Sequence, residues 1–178
     1  MKFPDSDFWN FSIRFYSHPE VEKTCLRFQN DFELDVNCVL FIYWLASKHH
    51  AILSSEQWSH IISISLPWQE IIKPLRKSRQ LIKDSTIAWP VEFQQETRSC
   101  ISEVEINAEH MQQLAMEKLF QELDLEISDA NLKERISSNF SNMFSACSSD
   151  TTVEIIGDQI VSLISLLPDV QESKKIIA

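Results

Sequence analysis

A chain of 178 residues with 44% hydrophobic composition can close over one core and is not disordered by composition. Its formal net charge of −10 repels phosphate backbones and anionic lipid, which argues against non-specific nucleic-acid binding. The single glycine, Gly157, excludes phosphate-cradling loops, dinucleotide turns and nucleophile elbows, whose backbones need several glycines, and favours helices over tight hairpins.

Asp5 or Ser6 is placed to cap a first helix through about Tyr16, with Phe8, Phe11, Ile13 and Phe15 as its apolar set. Pro19 suits the first turn of a second helix, because its missing N–H is not needed there. That helix runs to about Phe32 and aligns Val21, Cys25, Phe28 and Phe32 at helical spacing. Asp35 caps the next segment, Val36 to Lys48, which is apolar almost all round and therefore central. Its β-branched and aromatic residues also suit a strand, but its length favours a helix.

Ser54 or Ser55 opens a short helix through about Ser65. Pro67 opens another through Ile82, with a kink expected at Pro74, and Trp89-Pro90 closes the region. The longest helix is expected from about Pro90 to Leu123. Thr97, Ile101, Val104, Ala108, Met111, Ala115, Leu119 and Leu123 form a seam along it at steps of three or four. Asp129 is expected to cap a helix carrying Leu132, Ile136, Phe140, Met143 and Cys147. Asp150 is expected to cap the last, carrying Ile156, Ile160, Leu163 and Leu167, and Pro168 stops it.

The resulting fold class is all-α: a single domain over 1–178, seven or eight helices in a bundle or orthogonal array, with 169–178 as a loose C-terminal tail. No repeat of fixed period stands out, and no low-complexity linker divides the chain. The cysteines, Cys25, Cys38, Cys100 and Cys147, form no CxxC pair. No signal-peptide stretch begins the chain and no run is long enough to span a bilayer, so a cytoplasmic protein with reduced thiols is expected.

Residues 1–98 carry 11 Lys+Arg against 12 Asp+Glu, and residues 99–178 carry 5 against 14. The acidic second half reads first as a solvated face and second as a surface for a basic partner. The first half holds one basic stretch, Lys73, Arg76, Lys77, Arg79 and Lys83, with no acid from 71 to 83. Arg76, Arg79 and Lys83 share a helical face. They suit either an anion site or internal pairing with acids such as Glu103, Glu105 and Glu109, and the pairing is the simpler reading.

Glu105 and Glu109 lie one turn apart, but adjacent His110 points about 100° away, so no helical carboxylate–histidine metal motif forms. Asp31 and Asp35 have an Asp-x3-Asp spacing used with magnesium diphosphates, yet no second aspartate-rich helix opposes them. No metal or cofactor motif is present, and no nucleophile stands beside an activating base.

The segments FWNFS at 8–12, DVN at 35–37 and PLRKSR at 74–79 resemble a bacterial family of small helical conserved hypothetical proteins, a domain of unknown function. The resemblance covers about residues 7–120. It implies an all-α cytoplasmic protein and brings no substrate or catalytic residue. Members often carry Gly after the second-helix proline and before DVN, where Glu20 and Glu33 or Leu34 stand here.

Two functions lead, ahead of a weaker third, attachment to a membrane surface or nucleic acid through the basic stretch. The first is a non-enzymatic interaction or regulatory module for a protein partner, marked by Trp9 and Trp44 if both are exposed. The second is a polar pocket for a small anionic ligand or phosphate, built from Asn37, Arg76, Arg79, Lys83, Glu105 and Glu109. Convergence of these side chains in one cleft favours the second.

Overall fold

The computed structural model describes residues 3–84, 90–125, 127–147 and 153–167. Among them the chain is all-α, with seven helices: α1 (Asp7–Tyr16), α2 (Pro19–Phe32), α3 (Val36–Trp44), α4 (Ser55–Asp84), α5 (Val91–Glu122), α6 (Leu132–Cys147) and α7 (Val153–Ile164). Trp89, the expected cap at Asp150, the stop at Pro168 and the tail lie outside the described residues. No helix among the described residues is long and apolar enough to cross a membrane.

Local chemistry sets the helix starts. Ser6 Oγ accepts from the Trp9 N–H at 3.0 Å and begins α1. Ser54 and Gln57 exchange side-chain and backbone bonds of 3.2 and 2.8 Å, a capping box before α4. A second box begins α6, but from Asn131 and Glu134 at 3.0 and 3.1 Å, not from Asp129. Asn131 stands three residues before Glu134, which the reciprocal bonds require; Asp129 stands two residues too early.

Every residue of α3 from Asn37 to Trp44 is buried, as a helix without a polar face must be. It packs against α1, α2, α5 and α6. Tyr43 donates its buried hydroxyl to the Ile160 carbonyl at 3.0 Å and ties α3 to α7. The Phe140 ring lies 6.1 Å from those of both Tyr43 and Phe28, closing the core from α6. Beyond Trp44 the helix widens into a π-turn, Leu45–His49, and His50 reverses the chain with a left-handed φ of 51°.

Glu33 also takes a left-handed φ, 55°, where α2 ends and the Leu34 N–H bonds back to the Phe28 carbonyl. This is a position at which a glycine would relieve strain, and it is one of the two, Glu33 or Leu34, at which the resemblance implies a glycine. Glu20, the other such position, sits in the first turn of α2.

Two expectations are corrected. The separate helices placed at 54–65 and 67–82 form one 30-residue helix, α4, that runs through Pro67 and Pro74. Each proline removes the donor for the carbonyl four residues earlier, on Ser63 and Glu70. Both prolines and both of those residues are exposed, so water can satisfy the freed carbonyls while the opposite face packs on α5.

The second correction concerns α5. Val104 and Met111, placed in the apolar seam, are exposed, whereas Glu105, Gln112 and Gln113 are buried. Polar partners on α3 and α4 select this face. Gln69 meets Gln112 and Arg76 meets Glu105, so numbering falls on one helix as it rises on the other: α4 and α5 are antiparallel.

Candidate functional site

Along α4, Ser65, Gln69, Ile72, Arg76 and Arg79 recur at steps of three or four and place one mostly polar stripe against α5. The stripe meets Glu105, Glu109 and Gln112, spaced the same way. The result is a polar seam between two long helices that reaches α3 at its start.

Its upper part is ionic. Arg76 donates from Nε to Glu105 Oε1 at 3.0 Å and from Nη2 to Glu109 Oε1 at 2.8 Å. Arg79 donates from Nε to Glu105 Oε2 at 2.7 Å and from Nη2 to Glu105 Oε1 at 3.2 Å. Glu105 is nearly buried and both guanidinium groups are partly exposed. The hydrogen bond to Glu105 holds the Arg79 pKa above its ordinary value. Burial raises the Glu109 pKa, and the attraction of Arg76 does not cancel it.

The lower part is a chain of amides anchored on a carboxylate. Asp35 Oδ1 accepts from the Asn37 N–H at 2.9 Å and so caps α3. Asp35 Oδ2 accepts from Ser65 Oγ at 2.6 Å and from Gln112 Nε2 at 2.5 Å. Gln112 Nε2 also reaches Ser65 Oγ. Gln112 Oε1 accepts from Asn37 Nδ2 at 2.6 Å and from Gln69 Nε2 at 3.2 Å. Asn37 Oδ1 accepts from Gln113 Nε2 at 2.7 Å. The chain stops there: buried Gln113 Oε1 has no hydrogen-bond partner among the described residues.

This network runs between two cavities. Asp35, Ser65 and Gln69 line one of about 610 Å³, with Cys38, Lys73 and Phe144. Asn37 and Gln113 line the other, of about 500 Å³, which lies among α1, α2, α3, α4 and α5. Arg76, Arg79, Glu105 and Glu109 line this second cavity as well. Its apolar wall includes Ile13, Leu26, Val36, Leu40 and Ile106, and α1 adds Trp9, Ser12 and Tyr16. Buried Ser12 Oγ is likewise without a partner among the described residues. Burial and nearby acidic groups push the Tyr16 hydroxyl up to about 12, so it stays protonated at neutral pH.

Five of the six candidate residues therefore converge on one cavity. Lys83 does not: it is exposed in the last turn of α4 and lines neither cavity. Glu103, weighed as an acidic partner for the basic stretch, is exposed, while Glu105 and Glu109 take both arginines. Asp31 forms a surface pair with Arg27 at 3.8 Å, so the two aspartates of the Asp-x3-Asp spacing serve different ends. The His110 ring stacks on Trp9 at 4.1 Å and 6°, and burial lowers its pKa. Trp44 is buried, so it and Trp9 form no exposed aromatic surface.

A family described as "Protein of unknown function (DUF2390)" covers residues 7–116. The chain belongs to that family. The match takes in α1 to α4 and most of α5, including the whole lining of the cavity of about 500 Å³, and it ends before α6, which supplies part of the other cavity's wall. It supports the resemblance drawn from FWNFS, DVN and PLRKSR, which extended to about residue 120. No curated protein and no solved structure matches the chain.

Ser12, Tyr16, Ser65, Gln69, Gln112 and Gln113 were not among the sequence candidates. A signal existed in the polar periodicity of 65, 69, 76 and 79, which mirrors the spacing used to find apolar stripes. The residues opposite it depend on which helices are neighbours, which a stripe alone does not define.

Proposed function

We propose that this protein is a binding domain that holds a small organic ligand in the cavity of about 500 Å³ among its first five helices. One observation carries the reading. Asn37, Arg76, Arg79, Glu105 and Glu109, from three helices, line the same largely apolar recess as Ser12 and Gln113, whose buried Oγ and Oε1 atoms have no partner among the described residues. An apolar wall with a few convergent polar groups is the ordinary form of a small-molecule site, and the volume falls within the usual range.

Bare phosphate fits less well than an uncharged or donor-bearing ligand. Both arginines already hold carboxylates, so an anion would have to displace Glu105 or Glu109. The groups facing the cavity would hold and orient a ligand, and the reading assigns them no bond-making step.

The test is an NMR titration of the full chain with small organic fragments. Expected shifts gather on the Trp9 indole N–H, the Gln113 side-chain amide and the Val36 and Leu40 methyl groups. Ile106→Trp, which fills the cavity from an exposed position on its wall, should abolish them. Shifts that ignore these groups, or survive Ile106→Trp, would count against a ligand site here.

A second reading, the protein-interaction module, rests on Leu81, Val91 and Phe93, which are exposed where α4 ends and α5 begins. Leu81→Glu with Phe93→Glu should remove partner capture and leave fragment binding unchanged; loss of neither would set this surface aside.

A further inference from the structure

We infer that the cavity selects its ligand by an N–H or O–H hydrogen-bond donor, offered to Gln113 Oε1; this rests on the ligand-site reading above. The inference comes from the direction in which the amide network must run. Each Asn or Gln amide can in principle turn over and exchange donor for acceptor. A network of amides alone would have no fixed polarity.

Asp35 removes that freedom. An ionised carboxylate offers only lone pairs. Its Oδ1 is spent on the α3 cap, and its Oδ2 faces Ser65 and Gln112. Gln112 must therefore turn its NH2 toward Asp35 and its oxygen toward Asn37 and Gln69. Asn37 must then donate to Gln112, which leaves Asn37 Oδ1 to accept from Gln113. Gln113, a residue of the cavity lining, has its NH2 committed and ends the chain with a buried carbonyl oxygen that has no partner among the described residues.

That oxygen is 2% exposed by residue and has no partner among the described residues. Each donation toward Asp35 polarises the amide behind it, so the terminal carbonyl is a stronger acceptor than an isolated amide. Ser12, 3% exposed, lines the same cavity with its hydroxyl oxygen unpartnered. A donor on an apolar body satisfies the Gln113 oxygen; an acceptor placed against that oxygen faces another lone pair. Arg76 and Arg79 balance Glu105 and Glu109 in charge, so the ionic wall does not by itself favour an anion.

Three isomeric amides test this: hexanamide, N-methylpentanamide and N,N-dimethylbutanamide. They share atoms and carbonyl and differ in carrying two, one or no N–H donors. Each is titrated into the full chain and followed at the Trp9 indole and Gln113 amide resonances. Wild type should bind hexanamide about tenfold or more tighter than the dimethyl isomer, because a site built to pair with a donor rejects its absence. Asp35→Asn keeps a capping oxygen but lets the network reverse, so the preference should vanish or invert. Gln113→Met should bind all three alike, and it retains the test if Asp35→Asn does not fold.

Equal binding of the three isomers by wild type would overturn the donor inference and leave the ligand site standing. A donor preference that persists in Asp35→Asn or Gln113→Met would overturn it as well. Failure of all three to shift either resonance would overturn the ligand site and this inference together.

Discussion

Two buried amide clusters flank α3, and they finish differently. Around Asn139 every bonding position is used: Oδ1 accepts from the Leu53 N–H and Trp58 Nε1, and Nδ2 donates to the Ala51 and Arg135 carbonyls. Asn142 adds a bond to the Leu53 carbonyl at 2.7 Å, and Arg135 adds one to Ala46 at 2.9 Å. These bonds fasten α6 to the chain between α3 and α4. The Asp35 network is equally buried but ends on the Gln113 oxygen, which has no partner among the described residues and belongs to a residue of the cavity lining. Burying polar groups with all bonds made fixes a fold, whereas burying them with one bond unmade reserves that bond for something else.

The saturated cluster should break hardest. Asn139→Leu leaves the Leu53 N–H, the Trp58 indole N–H and the Ala51 carbonyl buried without partners. Urea unfolding should show a loss of about 3 kcal/mol. Fragment shifts at Trp9 should be unchanged wherever the variant remains folded. A loss below about 1 kcal/mol would mean that the cluster is not what holds α6.

Glu105→Gln comes next. It removes the charge that both arginines share, and their partial exposure moderates the loss to about 2 kcal/mol. The same variant should gain phosphate binding, because Arg79 loses its carboxylate and Arg76 keeps Glu109 alone. Isothermal titration with inorganic phosphate would check it.

Glu33→Gly should act in the opposite direction, stabilising by about 1 kcal/mol through relief of a left-handed backbone. Thermal unfolding measures it, and neither polar cluster should respond.

The smallest effect expected is a pH slope at His110. Burial holds its pKa below the ordinary 6.5 in the folded chain. The unfolded chain therefore takes the proton first, and the stability supplied by the neutral ring is complete above about pH 6.5 and lost as pH falls further. His49 shifts in the same direction, so His110→Phe should flatten only part of the slope. Unfolding free energies at pH 7.5 and about pH 5 measure it.

The fold was legible because apolar side chains recur with a helix's pitch and caps mark the starts. Asp35, Pro19 and the all-apolar run after Val36 each did what isolated chemistry requires. Pro67 misled because a proline breaks a helix only when the freed carbonyl has nowhere to bond, and exposure is a tertiary property. Val104 and Met111 misled for a related reason: counting only apolar steps hides a polar face that another helix will bury. Arg76, Glu105 and Glu109 were visible as charges. Gln112 and Gln113 were not, because neutral amides carry no distinctive pattern until their neighbours are known.

Neutron diffraction from a deuterium-exchanged crystal of the full chain would see the direction of the Asp35 network itself. The expected map places the two deuterons of Gln112 Nε2 toward Asp35 and Ser65, those of Gln113 Nε2 on the side of Asn37, and none on the Gln113 oxygen. A Gln113 carbonyl turned toward Asn37, with its N–D2 group on the far side, would contradict it.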